Sequence, residues 1–329
     1  MSTDFVFHLK IKSYLKRKSL FYKIIFIFSF LILNGCVASR DENLVQKTEI
    51  IILKNFLKGR IKTFAVSLNF PQKSKGPLPV IISQHGSNRD GMIFQGGEGR
   101  TDEFSTRLIK KGTEMGFAVA AIDAFFDTSL EPNDKGKFPN AIKYALQLKE
   151  TLSKDKRFQS KNIFYAGFSY GASQVLKSFD ARLDYKKKYW RAIAAVEPGC
   201  NIVSNPVIVP FSTLMIKGSE SHYYIEPCEF YLELIKKRGN KISLKVVKGA
   251  NHFFSSNGKI TDGIAVNGCR YNPVIRMPGG VFIFADGTPA TRRTIRKKCV
   301  TYEGGSGKDR MYLDYVIATV LNFFRKSII

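Results

Sequence analysis

Gly167-Phe168-Ser169-Tyr170-Gly171 constrains the fold of this chain more than any other stretch. The short apolar run Ile163-Phe164-Tyr165-Ala166 leads into it, and the helix-compatible segment Ala172 to Ser178 leads out, so strand, sharp turn and helix follow one another directly. A serine at the centre of such a turn sits on a strained backbone with its hydroxyl exposed at the carboxyl end of a sheet. The flanking glycines let neighbouring backbone pass closely. That placement suits a nucleophile, but a serine hydroxyl is weak at neutral pH. It needs a histidine base, which in turn needs a carboxylate to orient it.

The chain has four histidines. His8 lies in an N-terminal basic segment, and His222 lies in a Tyr-rich loop. His85 follows the apolar run Pro79-Val80-Ile81-Ile82, where it reads as a residue that shapes the loop after an early strand. His252, in Gly249-Ala250-Asn251-His252-Phe253-Phe254, follows the strand-like Ile242 to Val247 and lies C-terminal to the serine. The chain order serine, acid, histidine of α/β-hydrolases fits His252 as the base.

The wider pattern predicts a strand pair near Glu49 to Leu53 and Arg60 to Leu68. Apolar strands are predicted at 79–83, 117–122, 162–166, 192–196, 211–216 and 242–247. Helical patterns lie between them at Glu103 to Met115, Asn140 to Leu152 and Glu226 to Lys237, with a last one at Met311 to Phe324. Buried strands alternating with amphipathic helices predict a mostly parallel sheet covered on both faces. A length of 329 residues suits one α/β domain with decorations, or at most two domains, and 44% hydrophobic residues suffice for its core.

Several of these pieces together resemble the dienelactone hydrolase family of α/β-hydrolases, over roughly residues 60 to 255 and the final helix. They are His85-Gly86, Gly116-Phe117-Ala118-Val119-Ala120-Ala121-Ile122-Asp123, the Gly167 to Gly171 elbow, Gly218 with Glu226-Pro227-Cys228, and Gly249-Ala250-Asn251-His252-Phe253. The resemblance implies an α/β-hydrolase fold and a serine hydrolase that cleaves a carboxylic ester or lactone through an acyl-enzyme, without a cofactor. Ser169 would be the nucleophile and His252 the base, and the backbone N–H groups of Tyr170 and Ser87 would form the oxyanion hole. The chain departs from the family twice. The name-giving enzymes carry a nucleophilic cysteine where this chain has Ser169, and the family's aspartate after the seventh strand is missing. The loop at that place reads Lys217-Gly218-Ser219-Glu220-Ser221-His222-Tyr223, so Glu220 is the favoured acid. Its competitor is Glu197, which ends the preceding strand run Ala192 to Val196.

The N-terminus reads as a separate element. Six basic residues precede the apolar run Ile24 to Leu33, which ends in Leu33-Asn34-Gly35-Cys36. This resembles a bacterial lipoprotein signal peptide over residues 1–36, with Cys36 the lipidated residue. Residues 37–329 would then form an exported hydrolase domain tethered to a membrane of the cell envelope, facing the periplasm. An uncleaved signal anchor is the alternative reading. Setting Cys36 aside leaves Cys200, Cys228, Cys269 and Cys299, an even number suited to an oxidising compartment. The family resemblance favours pairing Cys200 with Cys228, which leaves Cys269 with Cys299; four free thiols is the competing reading. No cysteine or histidine spacing suggests a metal site.

The loop-rich insertion at about 255–308 contains Phe284-Ala285-Asp286-Gly287-Thr288, a hairpin-turn signal. It reads either as a lid beside the histidine or as a stapled surface excursion. The net charge of +25 falls to +20 without residues 1–36, and its lysines are scattered with no nucleic-acid-binding motif. A small-molecule substrate and an anionic membrane surface are the expected partners, not nucleic acid. Two readings compete with the esterase: a membrane-anchored binding protein that keeps the fold without turnover, and a serine peptidase.

Overall fold

The computed structural model describes residues 47–57, 60–183, 189–255, 264–303 and 309–329. The segment 1–36 with Cys36, predicted to direct export, lies outside the described residues. Among those described, no helix is long and apolar enough to cross a membrane.

The sequence folds in the predicted order. Strands β1 (Thr48–Leu57), β2 (Arg60–Asn69) and β3 (Leu78–Gln84) precede helix α1 (Glu103–Glu114) and strand β4 (Ala118–Asp123). Helix α2 (Ile142–Lys154), strand β5 (Phe158–Phe168), helix α3 (Tyr170–Leu176) and strand β6 (Ala192–Val196) follow. The short β7 (Ile202–Ser204) leaves the main sheet, which resumes with β8 (Ser212–Gly218), α4 (Glu226–Lys237) and β9 (Ile242–Val247). The eight-stranded sheet has the order β1-β2-β4-β3-β5-β6-β8-β9. β2 is antiparallel to both β1 and β4, and every pairing from β4 to β9 is parallel.

The insertion builds its own small layer. Strands β10 (Ile264–Ala265), β11 (Val274–Arg276), β12 (Phe282–Phe284) and β13 (Pro289–Ala290) lead to helix α5 (Arg292–Cys299) and strand β14 (Thr301–Tyr302). The order β13-β12-β11-β7 ties it to the main domain through a parallel β11–β7 pairing. The predicted turn is present: the Phe284 N–H donates to the Thr288 carbonyl at 2.8 Å, and Gly287 adopts φ 87°. Helix α6 (Arg310–Arg325) closes the fold.

Period-two alternation along the strands sorts the core into two layers. Ile163 and Tyr165 of β5 face Leu148 of α2, Val175 of α3 and Tyr231 of α4. Phe164, Ala166 and Phe168 face Leu108 of α1 and Val316, Val320 and Phe324 of α6. A strand covered on both sides has no polar face to show, which is why β5 reads as continuous apolar sequence over Ile163 to Phe168. The parallel run brings the carboxyl ends of β3, β5, β6, β8 and β9 to one edge of the sheet, the edge where open α/β sheets present their ligand sites.

Candidate active site

Ser169 follows the last residue of β5 and is the N-cap of α3, with φ 53° and ψ −111°. Only a cramped crossing allows this turn, and the glycines explain how it is reached. A Cβ on Gly167 would lie 2.5 Å from the Gly171 carbonyl carbon, and one on Gly171 would run into the Gln84 carbonyl oxygen. The Ser169 N–H donates to the Val196 carbonyl at 2.9 Å, which fixes the elbow against β6.

The Ser169 Oγ lies 3.0 Å from His252 Nε2, and His252 Nδ1 lies 2.9 Å from an oxygen of Glu197. With the proton on Nδ1, the ring donates to the carboxylate and accepts from the serine hydroxyl. His252 is 4% exposed and Glu197 is fully buried. Glu197 follows β6, and its backbone adopts φ 55°, which swings the side chain towards the histidine loop. Its Oε2 also accepts from Ser221 Oγ at 2.8 Å and from the Lys217 ammonium at 2.8 Å, and its Oε1 accepts the Gly218 N–H.

The carboxylate at His252 is thus the alternative, Glu197, and not the favoured Glu220. Glu220 is exposed, and its N–H donates to the Ala250 carbonyl at 2.9 Å. The turn after β8 packs Gly218 against Ala250 so tightly that a Cβ there would strike the Ala250 carbonyl oxygen. That turn leaves the Glu220 side chain on the surface while Lys217 and Ser221 point inwards at Glu197.

Burial alone would raise the Glu197 carboxyl; the Lys217 charge and the His252 hydrogen bond overcome it and hold the group at about 2. Burial pushes the His252 ring below its ordinary value, the Glu197 carboxylate pulls it back, and the charges of Lys217 and Lys135 push it down again. His222, which the sequence leaves without a role, stands edge-on to His252 with ring centroids 4.9 Å apart and stacks on Phe253. Burial, then the neighbouring His252 and Lys135, bring it down to about 3, so it is neutral.

Tyr170 opens α3, where the first backbone N–H groups have no partner within the helix. Ser87 lines the same cavity beside Ser169. The loop that carries Ser87 is held from below: the Gly86 N–H donates to Asp102 Oδ2 at 2.5 Å, and Asp102 Oδ1 caps α1 through the Ser105 N–H at 2.8 Å. His85 shapes this loop and does not reach Ser169. Its Nδ1 bonds the Gly86 carbonyl at 2.6 Å, and its Nε2 accepts from the Ala124 N–H at 3.0 Å. Burial brings His85 down to about 4, and Asp123 only partly opposes it.

The cavity over Ser169 measures about 260 Å³. Phe138, Phe168, Ile202, Tyr223 and Phe253 supply apolar wall, and Val266 brings the insertion into it. Lys135 stands at this wall with its ammonium 2.5 Å from the Tyr223 hydroxyl, and burial lowers it to about 8. Cys200 pairs with Cys228 and Cys269 with Cys299. The first bridge fixes the loop after Glu197 to the first turn of α4, and the second closes the insertion around Val274 and Phe284. Among the described residues, no three His, Cys, Asp or Glu side chains gather where they could hold a metal ion.

No family model and no curated protein matches the chain. Among solved structures, native esterase 2 of Thermogutta terrifontis is similar at 14% identity and a TM-score of 0.48, over 64% of this chain and 85% of that one. The same esterase phosphorylated by paraoxon has 14% identity and a TM-score of 0.48, over 64% of this chain and 86% of that one. A Klebsiella pneumoniae protein assigned as a dienelactone hydrolase has 14% identity and a TM-score of 0.46, over 64% and 90%. By its own strand order, its serine elbow and the carboxyl-edge placement of His252 and Glu197, the chain has the α/β-hydrolase fold that the resemblance to dienelactone hydrolases implies.

Proposed function

We propose that this protein is a serine hydrolase acting on a small carboxylic ester or lactone. The observation that carries the reading is the unbroken series Ser169 Oγ to His252 Nε2 at 3.0 Å and His252 Nδ1 to Glu197 at 2.9 Å, at the floor of a cavity. Ser169 Oγ attacks the carbonyl carbon while its proton passes to His252 Nε2. The Tyr170 and Ser87 N–H groups receive the carbonyl oxygen as it becomes an oxyanion. Collapse expels the alkoxide, which takes the proton back from His252, and leaves Ser169 acylated. Water then repeats the attack and gives its proton to His252, which passes it to Ser169 Oγ as the acyl bond breaks, releasing the acid and restoring the serine; from a lactone the single product is a hydroxy acid. Glu197 supports the imidazolium formed at each attack and stays ionised itself.

A cavity of about 260 Å³ supports short acyl and alcohol groups over long chains. The family aspartate is missing, but Glu197 stands at His252, which supports turnover over a non-catalytic binding protein. Labelling by a serine-directed fluorophosphonate, followed by turnover of a panel of short and long acyl esters and lactones, tests the reading. An intact, folded protein that neither takes the label nor turns over any ester would refute it.

The proposal extends to location: an exported domain held at a bacterial envelope membrane through a lipidated Cys36. The sequence before Cys36 supports this, and so does a chain with two disulfides, which persist in oxidising compartments. Mass spectrometry of the membrane-extracted protein should find an acylated N-terminal Cys36. A mature membrane-bound form with an unmodified Cys36 would favour the anchor reading.

A further inference from the structure

Lys217 has no place in the mechanism above, yet it is one of the least expected residues in the molecule. It follows Leu214-Met215-Ile216 in β8, is fully buried, and forms an ion pair with Glu197 that is itself fully buried. Buried ion pairs are a poor source of stability, because the cost of removing both charges from water often exceeds their attraction, and apolar residues of equal size serve as well or better. Stability therefore does not account for a lysine at this position. Its geometry does: Lys217 Nζ lies 2.8 Å from Oε2 of Glu197, the same oxygen that lies 2.9 Å from His252 Nδ1. A second bond, to Ser221 Oγ at 3.1 Å, steers the ammonium, and Ser221 in turn donates to that oxygen.

We propose that Lys217 is a positioning residue of the catalytic relay: its ammonium holds the Glu197 carboxylate aimed at His252, and biases the ring towards the neutral form that accepts the serine proton. The inference rests on the serine hydrolase reading and adds a fourth member to the series Ser169, His252, Glu197. Its consequence is a working range that reaches into mildly acidic pH, because a cation beside the base opposes its protonation.

The groups that face His252 set the sign. Ser169 approaches from the elbow, Glu197 from the loop after β6, Lys217 from β8, His222 and Tyr223 from the loop after β8, and Lys135 from the helical turn Lys135–Lys137. Glu197 is the anion that favours imidazolium, and Lys217 and Lys135 are the cations that oppose it. Without Lys217 the carboxylate keeps its bonds from His252, Ser221 and the Gly218 N–H, so the base loses an opposing charge while its anionic partner remains. His252 then protonates more readily, and the acid limb of kcat/KM moves to higher pH. For charges this close at an effective dielectric near that of a protein surface, the shift is on the order of one pH unit or more.

The test is the pH profile of kcat/KM on a short ester for the full exported domain and for Lys217→Met, Lys217→Gln and Lys217→Arg. Methionine keeps the length without charge, glutamine keeps a donor without charge, and arginine restores the charge. The acid limb should rise by about one unit or more in the two neutral variants and stand near its original place in the arginine variant. An acid limb in Lys217→Met or Lys217→Gln within about 0.3 units of the unsubstituted protein overturns the proposal, because a purely structural lysine would lower the plateau without moving the limb. Should the neutral variants not fold in plain buffer, they are held folded with a stabilising osmolyte, and NMR titration of the His252 ring is compared with that of the unsubstituted protein in the same medium. A midpoint about one unit or more higher in the variants supports the proposal, and one within about 0.3 units overturns it. That titration needs no turnover, so failure of the hydrolase reading, seen as absent fluorophosphonate labelling, is separable from failure of this one.

Discussion

Asp102 and Gly86 are joined by a 2.5 Å hydrogen bond from the Gly86 N–H to a carboxylate that also caps α1. One side chain therefore fixes both a helix start and the loop that carries Ser87 beside Ser169. Asp102→Ala should lower stability by about 1–2 kcal/mol through the lost cap. It should also reduce kcat more than it raises KM, because the loop donor matters most when the oxyanion forms. Urea unfolding and steady-state kinetics read the two effects apart. A stability loss with unchanged kcat would detach this loop from the chemistry.

The same carboxyl gives a pH signature. Burial raises Asp102 to about 6 from an ordinary 3.8, against the pull of the Gly86 and Ser105 N–H groups. The folded state thus holds a proton between those values that the unfolded chain has released. Its stabilising contribution is fully present below 3.8 and lost as pH rises through about 6. Denaturant midpoints at pH 5 and pH 7, compared between the native chain and Asp102→Asn, should show that the pH-dependent difference belongs to Asp102. Identical pH dependence in both proteins would contradict the assignment.

Glu197→Gln should cut kcat by roughly a thousandfold or more, since the amide no longer holds His252 in its working tautomer. It should also destabilise the fold by about 3–5 kcal/mol, because it leaves the Lys217 charge buried without its counter-ion. Glu220→Gln should change neither by a measurable amount, as its side chain is solvated. Turnover assays normalised to the folded fraction by circular dichroism distinguish them, and loss of activity in the Glu220 variant would return the role to that residue.

Ser169→Ala should abolish fluorophosphonate labelling and ester turnover while keeping the near-ultraviolet spectrum of the native fold. Label retained in this variant would place the nucleophile elsewhere.

The two disulfides should differ in effect. Cys200–Cys228 braces the loop that follows Glu197, whereas Cys269–Cys299 closes the insertion. Paired replacement of Cys200 and Cys228 by serine should cost about 2–4 kcal/mol and lower kcat as well. The same replacement at Cys269 and Cys299 should act chiefly on thermal stability. Equal kinetic loss in both would show that the insertion contributes more to the cavity than Val266.

Much of this was legible before any coordinates. Gly167 and Gly171 announce a turn that tolerates no Cβ, and the strands of the parallel sheet are apolar runs because both faces are covered. Which glutamate meets His252 was not legible. Glu197 and Glu220 both end or follow neighbouring strands, and both fit the chain order of serine, acid and histidine. What separates them is the positive φ of Glu197 and the inward turn of Lys217 and Ser221, neither of which has a sequence pattern. Neither Lys217 nor Asp102 carries a sequence signal of its role: a lysine after Leu214-Met215-Ile216 is what any strand reaching the surface can show, and an aspartate before Glu103 is what any helix cap can show.

Ser169 and Glu197, at φ 53° and 55°, are two of the three non-glycine residues with positive φ among those described. Such a backbone costs on the order of 1–3 kcal/mol per residue, and glycine would remove most of it. At Ser169 melting temperature and catalysis therefore ask for different residues, whereas at Glu197 the strained residue is also the counter-ion of the buried Lys217. An engineering scheme that scores only local backbone fit will choose glycine at both; at Ser169 it removes the reacting atom, and at Glu197 it also strands the buried Lys217 charge.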